Sequence, residues 1–254
     1  YGVTGDRIRL DFSINGQPMG QELPFSATRN VAVSVEGRDT VDKVEVLKNN
    51  RVIHRDFPVD NRPGPALWSE PVLVRLEMGW GPWAALGMPR ICDWEMDVQV
   101  NGGKLIEVQP CFQSGPLDET RRNLVTGKSS GGFNLQCYTS RLQAFAERAT
   151  NAVVLKIHGG PDTELMLNIT RPRQQRVNRK LSGLLKSNEV AFTGPFPDES
   201  LIVHRVVPLA KASSSFTFRD EDTGSRDDWY YVKYTALFDT TNISIETKPM
   251  PNGV

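Results

Sequence analysis

Histidine is the side chain best suited to ligate a metal or transfer a proton near neutral pH. This sequence contains three histidines, His54, His158 and His204, which lie far apart with no HxH or HExxH spacing. No serine lies in a GxSxG motif. We therefore predict no catalytic residue, metal or cofactor in the chain. His54 and His204 each follow apolar residues and precede an arginine, so we expect structural histidines at strand ends.

Three cysteines, Cys92, Cys111 and Cys137, are the other side chains that could bind a metal or form a disulfide. They are too few and too scattered for a disulfide scaffold, and none forms a CxxC pair. Buried free thiols in strands are the expectation. A single disulfide with one thiol left over is the alternative.

Tryptophan and glycine are concentrated in the stretch 79–94, which contains Trp80, Trp83 and Trp94. Aromatic rings beside glycines can form a platform for a sugar ring or another ligand. Tryptophan in a β-sandwich is more often packed in the core or between domains. The sequence leaves both interpretations of the three tryptophans open, with ligand binding as the hypothesis to test.

The charges are balanced, with 30 basic and 30 acidic residues. This balance gives no electrostatic argument for nucleic acid as a partner. A basic run at 171–180 and an acidic loop at 220–228 are interpreted as solvated surface, with phosphate and Ca²⁺ binding as the respective alternatives. No apolar run reaches the roughly 20 residues of a membrane span. The chain starts at Tyr1, so we expect it to be a piece of a longer protein.

Alternating apolar residues indicate β-strands along most of the sequence. The clearest cases are 8–14, 31–35 and the aromatic stretch 227–235, where large residues occupy both faces of the predicted strand. Asn49-Asn50 and Asn101-Gly102 are typical hairpin turns. The spacing of Val177, Leu181, Leu184 and Leu185 predicts one short helix near 177–186.

These elements predict an all-β fold: an immunoglobulin-like β-sandwich with a second β-sandwich unit inserted into it. Residues 1–60 plus 196–254 would form the first sandwich, and 71–195 the inserted unit. The alternative is a tandem of two sandwiches split near residue 120.

Several short motifs, in order, resemble the C-terminal β-rich region of a bacterial family of uncharacterised proteins. In that family an N-terminal PHP-type, metal-dependent hydrolase-like domain precedes the β-rich part. The motifs carrying the resemblance are YGVTGDRIRLDF (1–12), INGQPMG (14–20), VEVLKNN (44–50), EMGWG (77–81), IVHR (202–205) and DWYYV (228–232). The family's usual ending, a strand like Ala-Trp-Ser-Ser-Pro, is absent here, and the alternation of Ile243, Ile245 and Thr247 predicts a final edge strand instead.

The resemblance implies a non-catalytic accessory region of a longer protein that is itself a metal-dependent hydrolase. Its partner would be the hydrolase-like domain, which would supply the metal ligands that this chain lacks. A bacterial source, and a periplasmic or secreted location, are compatible with this reading, although the chain carries no targeting signal. The residues themselves also leave open a carbohydrate-binding module using Trp80 and Trp83, and a self-sufficient enzyme.

Overall fold

The computed structural model describes residues 8–58, 67–79, 91–112, 123–140, 149–185, 187–193, 199–221, 227–237 and 244–246. The chain divides into two compact units. The first combines Tyr1–Pro65 with Pro208–Val254, and the second is Ala66–Val207. The first unit is thus discontinuous in sequence.

The described residues are mostly β-strands, and the fold is all-β. The strands are β1 (Arg9–Ile14), β2 (Gln17–Pro18), β3 (Arg29–Glu36), β4 (Thr40–Lys48), β5 (Arg51–Asp56), β6 (Val72–Gly79), β7 (Ile91–Pro110), β8 (Leu124–Ser129), β9 (Gly132–Ser140), β10 (Thr150–Arg171), β11 (Gln175–Lys180), β12 (Glu189–Phe192), β13 (Ser200–Val203), β14 (Val207–Pro208), β15 (Ser213–Asp220), β16 (Tyr230–Leu237) and β17 (Ser244–Glu246). Two short 3₁₀ turns, Gly183–Leu185 and Leu209–Lys211, lie between strands.

The first unit is a β-sandwich of two four-stranded antiparallel sheets. Their strand orders are β15-β3-β1-β2 and β17-β16-β4-β5. Both sheets contribute side chains to one core, as expected when apolar residues alternate along each strand. The buried members of this core are Phe12, Val31, Val33, Val35, Val41, Val44, Val46, Val232, Tyr234 and Ala236.

Strands from the two ends of the sequence pair in both sheets of the first unit. β15 pairs with β3, and β16 pairs with β4. The predicted hairpin at Asn49-Asn50 is confirmed, because both residues have positive φ (50° and 65°) and join β4 to β5. The aromatic strand β16 lies between β4 and β17, and it carries large side chains on both faces, as predicted.

Gly37 follows β3 at a point where the backbone is tightly enclosed. Its N–H donates to the Ala212 carbonyl at 2.8 Å. A Cβ at this position would overlap the Tyr234 hydroxyl and lie 3.3 Å from the Ala212 carbonyl oxygen. Position 37 therefore has no room for a side chain.

Replacing Gly37 with alanine is expected to lower the free energy of unfolding by about 1–3 kcal/mol, the usual cost of overpacking. Urea denaturation measures this loss. Gly160→Ala is the matched control, because among the described residues no atom lies within 4 Å of the Cβ it would add. Equal stability of Gly37→Ala and the wild type would show that Tyr234 moves aside freely.

The second unit is built on one antiparallel sheet that curls around its own core. Its main path is β12-β13-β6-β10-β7-β9-β8, with β11 paired to β10. Side chains from both halves of the long strands β7 and β10 enter the same core. β13 lies within the range 196–254 that the sequence assigned to the first sandwich, yet it pairs with β6. Leu201 and Val203 of β13 are buried in this core.

The hairpin turn predicted at Asn101-Gly102 in the second unit is wrong, because β7 continues through it. Asn101-Gly102 lies inside β7, and His158-Gly159-Gly160 lies inside β10, where the pairing shifts register in a β-bulge. The Thr163 hydroxyl donates to the Gly102 carbonyl and accepts from the Gly160 N–H, each at 3.0 Å. A Cβ on Gly159 would collide with Thr163. The glycines therefore serve a bulge rather than a hairpin.

The helix predicted near 177–186 is also wrong. Residues 175–180 form β11, which pairs antiparallel with β10 from Gln175↔Ile169 to Lys180↔Glu164. Val177 and Leu181 are four residues apart, an even spacing that suits one face of an extended chain as well as one face of a helix. The 3₁₀ turn Gly183–Leu185 then places Leu184 in the core.

Candidate functional site

Five polar residues of the first unit meet at one end of its sandwich: Arg29, Lys48, Asp220, Asp228 and Tyr230. We call them the charge cluster. Arg29 begins β3 and is paired in register with Asp220 at the end of β15. Lys48 ends β4 and is paired in register with Tyr230, which begins β16. Because neighbouring strands are antiparallel, these strand ends lie at the same end of the two sheets.

The charge cluster joins the two sheets through short ion pairs. Arg29 Nη2 lies 2.8 Å from Asp228 Oδ2, and Lys48 Nζ lies 3.2 Å from both Asp220 Oδ2 and Asp228 Oδ2. The four charged side chains are only 3–8% exposed. Two cations and two anions therefore neutralise one another away from water, as buried charges require.

Tyr230 completes the charge cluster as a hydrogen-bond donor. Its hydroxyl donates to Asp220 Oδ2 at 2.5 Å. Burial, together with the hydrogen bond to Asp220 and the charge of that carboxylate, raises the pKa of Tyr230 well above its ordinary value. Arg29 and Lys48 each lie 5.9 Å from the centre of its ring. The phenol thus stays protonated, which suits a structural donor.

The charge cluster corrects the prediction of a solvated acidic loop at 220–228 for the two ends of that loop, whereas Glu221 and Asp227 are exposed as predicted. Asp220 and Asp228, which bound the loop, are buried against cations; residues 222–226 lie outside the described residues. In the sequence, Arg29 continues the alternation of Val31, Val33 and Val35, and Lys48 continues that of Val44 and Val46; these two cations in apolar alternations were the missed signal.

A second polar group, formed by Arg75, Glu77 and His204, lies in the second unit. Glu77 and Arg75 alternate along β6 with the core residues Leu76 and Met78. His204 directly follows β13, and its backbone N–H donates to the Arg75 carbonyl at 2.9 Å. His204 is thus a buried residue at a strand end, as the sequence predicted.

Glu77 is the centre of this group. His204 Nε2 lies 2.9 Å and Arg75 Nε 3.4 Å from Glu77 Oε2. Burial alone would raise the pKa of Glu77, but the hydrogen bond from His204, the charges of Arg75 and His204, and a hydrogen bond from Thr150 hold it below its ordinary value. The carboxylate is therefore ionised at neutral pH and links β6 to the segment after β13.

Replacing Glu77 with glutamine is expected to cost about 1.5–3 kcal/mol of stability near pH 7, the range for hydrogen bonds to a charged group. A depressed pKa stabilises the folded state above the unfolded value of 4.5, and this contribution fades as pH falls through the lower folded value. The stability gap between wild type and variant should therefore narrow below about pH 4. Denaturation from pH 6 to 3 measures it, with exposed Glu107→Gln as control.

A gap between wild type and Glu77→Gln that stays constant from pH 6 to pH 3 would show that ionisation of Glu77 does not support the fold.

The structure places the three predicted platform tryptophans differently. Trp94 is fully buried in the second core, and its indole N–H donates to Thr139 Oγ1 at 3.1 Å. Its ring faces are therefore packed against protein, and it is a core residue rather than part of an exposed platform. Trp80 and Trp83 lie outside the described residues.

The expectation of buried free thiols is confirmed: Cys92, Cys111 and Cys137 are all free and buried. Burial, with Cys92 and Asp93 nearby, raises the pKa of the Cys137 thiol well above its ordinary value, so this thiol is unreactive. In the part of the chain that the structure describes, no three His, Cys, Asp or Glu side chains group so that they could hold a metal ion.

The basic run at 171–180 is largely matched by acidic and amide neighbours. Arg171 lies within 4.0 Å of Asp93 and 3.6 Å of Glu95. Further pairs join Arg179 to Glu189, Lys180 to Asp162, and Arg176 to Asn168. Charged side chains on β11 suit a strand at the edge of a sheet, because they discourage pairing with another chain.

Across the described residues, no helix is both long and apolar enough to span a bilayer.

The fold and these polar groups define an all-β sandwich protein whose buried charges have partners inside each unit. No family model matches the chain. An uncharacterised protein from Chlamydia pneumoniae is 36% identical over 67 residues, a match that covers 24% of this chain and 11% of the relative.

Proposed function

We propose that this chain is a non-catalytic accessory β-sandwich region, with an immunoglobulin-like first unit, of a larger PHP-type hydrolase-like protein. The hydrolase-like domain would carry the metal and the chemistry. The chain would pack against that domain and orient its substrate.

The proposal rests on one observation: the charged side chains of the charge cluster are paired with one another inside the protein. Asp228 forms an ion pair with Arg29, and Asp220 forms one with Lys48 of the opposite sheet. Tyr230 stays protonated and donates a hydrogen bond to Asp220. The Glu77 group of the second unit is likewise occupied with His204 and Arg75. The acidic and basic side chains of these two groups are thereby committed to holding strands together, which is the chemistry of a scaffold.

Two further points agree with the proposal. The Chlamydia pneumoniae relative is much longer than the segment it shares with this chain, so similar sequence occurs there inside a large protein. Accessory regions also present apolar side chains to the domains they contact. On β12 of the second unit, Val190 and Phe192 share one strand face and are 47% and 61% exposed.

Activity assays on two samples test the proposal. The purified chain and the natural gene product are each incubated with phosphate and sulfate esters of p-nitrophenol, with and without a metal chelator. We expect turnover by the natural gene product alone, and its loss on chelation. Chelator-sensitive turnover by the purified chain would overturn the proposal and favour a self-sufficient enzyme.

A further inference from the structure

An aromatic pair lies on the face of the β16-β4-β5 sheet that points away from the first core. Trp229 directly precedes β16, and it stacks on Tyr231 with 5.3 Å between ring centres and 13° between ring planes. Trp229 is 44% exposed, whereas Tyr231 is 9% exposed. Tyr231 thus supports the indole from beneath, and one part of the Trp229 ring surface faces solvent.

The β4–β5 turn holds this pair in place. The Trp229 N–H donates to Asn49 Oδ1 at 3.1 Å, and the Asn49 N–H donates back to the Trp229 carbonyl at 3.0 Å. The Tyr231 hydroxyl donates to Asn50 Oδ1 at 3.1 Å. Asn49 Nδ2 also donates to Asp228 Oδ1 at 2.7 Å, which ties the turn to the charge cluster. A ring fixed in this way loses little conformational entropy when a ligand binds.

The size of the exposed surface limits what it can bind. Tyr231, Leu47 and Val52 follow one another across the three strands on this face. Leu47 is 7% exposed, which leaves Trp229 and Val52, 37% exposed, as the large apolar side chains open to solvent on this face of the described sheet. A stable protein interface buries about 800 Å² per partner. A whole aromatic side chain buries about 150–250 Å², and Trp229 is 44% exposed, so its open surface is smaller still and suits a ligand the size of a sugar ring.

Polar groups at the rim fit the same ligand. The Asn49 and Asn50 side chains are exposed beside the ring. The bond from Tyr231 uses only the oxygen of Asn50, so its amide nitrogen can donate to a hydroxyl. A pyranose has an apolar face of C–H groups and a rim of hydroxyls, which suits an indole surrounded by amides.

We propose that Trp229 is a carbohydrate-binding residue, stacking on the apolar face of a pyranose ring whose hydroxyls bond to Asn50. The site differs from the Trp80, Trp83 and Trp94 stretch in both sequence and unit. It goes beyond the accessory role and does not depend on the hydrolase connection.

Affinity electrophoresis tests the proposal directly. The purified chain is run in native gels containing hydroxyethylcellulose, xylan, laminarin or galactomannan. We expect at least one polysaccharide to retard the wild type, and Trp229→Ala to weaken that binding by about tenfold or more. Asn50→Gly should weaken it a few-fold, because glycine accepts the positive φ while the amide is lost. Phe25→Ala, which removes another exposed ring of the same unit, should bind normally.

Circular dichroism and thermal unfolding confirm that each variant is folded. If Trp229→Ala does not fold, Trp229→Phe replaces it, and binding should again fall because the ring surface is smaller. No retardation of the wild type by any of the four polysaccharides overturns the proposal. Retardation that survives Trp229→Ala, or that is lost in Trp83→Ala instead, also overturns it. The ester-hydrolysis assays are unaffected by any of these results, so the two proposals fail separately.

Discussion

Replacing Lys48 with methionine is expected to lower the free energy of unfolding of the first unit by about 3–5 kcal/mol. The substitution keeps a long apolar side chain and removes one of two buried cations. Asp220 and Asp228 would then share the single guanidinium of Arg29, while both carboxylates remain away from water. Removing one partner from a buried ion network is costly because the remaining charges are uncompensated.

Urea denaturation followed by circular dichroism measures the loss in Lys48→Met. Lys43→Met is the matched control: Lys43 lies on the same strand, is 35% exposed and pairs with Glu45 at 3.4 Å. Ion pairs that reach solvent contribute at most about 1 kcal/mol, so the control should change little. Equal effects of the two substitutions would mean that the charge cluster is not a structural link between the sheets.

Replacing Trp94 with alanine is expected to cost about 3–5 kcal/mol of the stability of the second unit. The side chain is fully buried, so its removal leaves a large cavity. It also leaves the buried hydroxyl of Thr139 without the indole N–H that donates to it. Polysaccharide binding by the folded fraction should be unchanged, because Trp94 has no face open to a ligand.

Chemical denaturation of Trp94→Ala beside Trp229→Ala provides the comparison. Both variants lose a tryptophan, but Trp229 is 44% exposed and should cost much less stability. If Trp94→Ala keeps native stability but fails to bind polysaccharide, Trp94 is a ligand-binding residue, as its sequence position beside Trp80 and Trp83 first suggested.

Local patterns in the sequence predicted much of the first unit correctly. The alternation of Val31, Val33 and Val35 places them in the core, since side chains of a strand alternate between faces. Asn49-Asn50 forms the expected hairpin because asparagine tolerates positive φ. These features depend on neighbouring residues, which is why they can be recognised without the fold.

Several features that depend on distant residues were not predicted. Asn101-Gly102 resembles a hairpin turn, but β10 pairs along both sides of it and Thr163 fixes a bulge there. The same pairing converts Val177 from a helix position to a strand position. No local pattern indicates that Arg29 and Lys48 meet Asp220 and Asp228, because these contacts form only when strands from both ends of the sequence pair.

The candidate sites show the same contrast. The density of tryptophan in the sequence points to Trp80, Trp83 and Trp94 as candidate ligand-binding residues. The structure excludes Trp94, which is buried, and adds Trp229, which is exposed, as a candidate. Alternation along the predicted strand 227–235 places Trp229 and Tyr231 on one face, and the structure stacks the two rings. Their support by Asn49 and Asn50 could not be seen in the sequence, because the turn and the aromatic strand lie far apart along the chain.

The most direct test of the proposed accessory role is the intact mass of the natural gene product, with metal analysis on the same sample. We expect a mass well above the 28.4 kDa of this chain, together with bound transition metal. A mass of 28.4 kDa without metal would contradict the connection to a hydrolase-like domain.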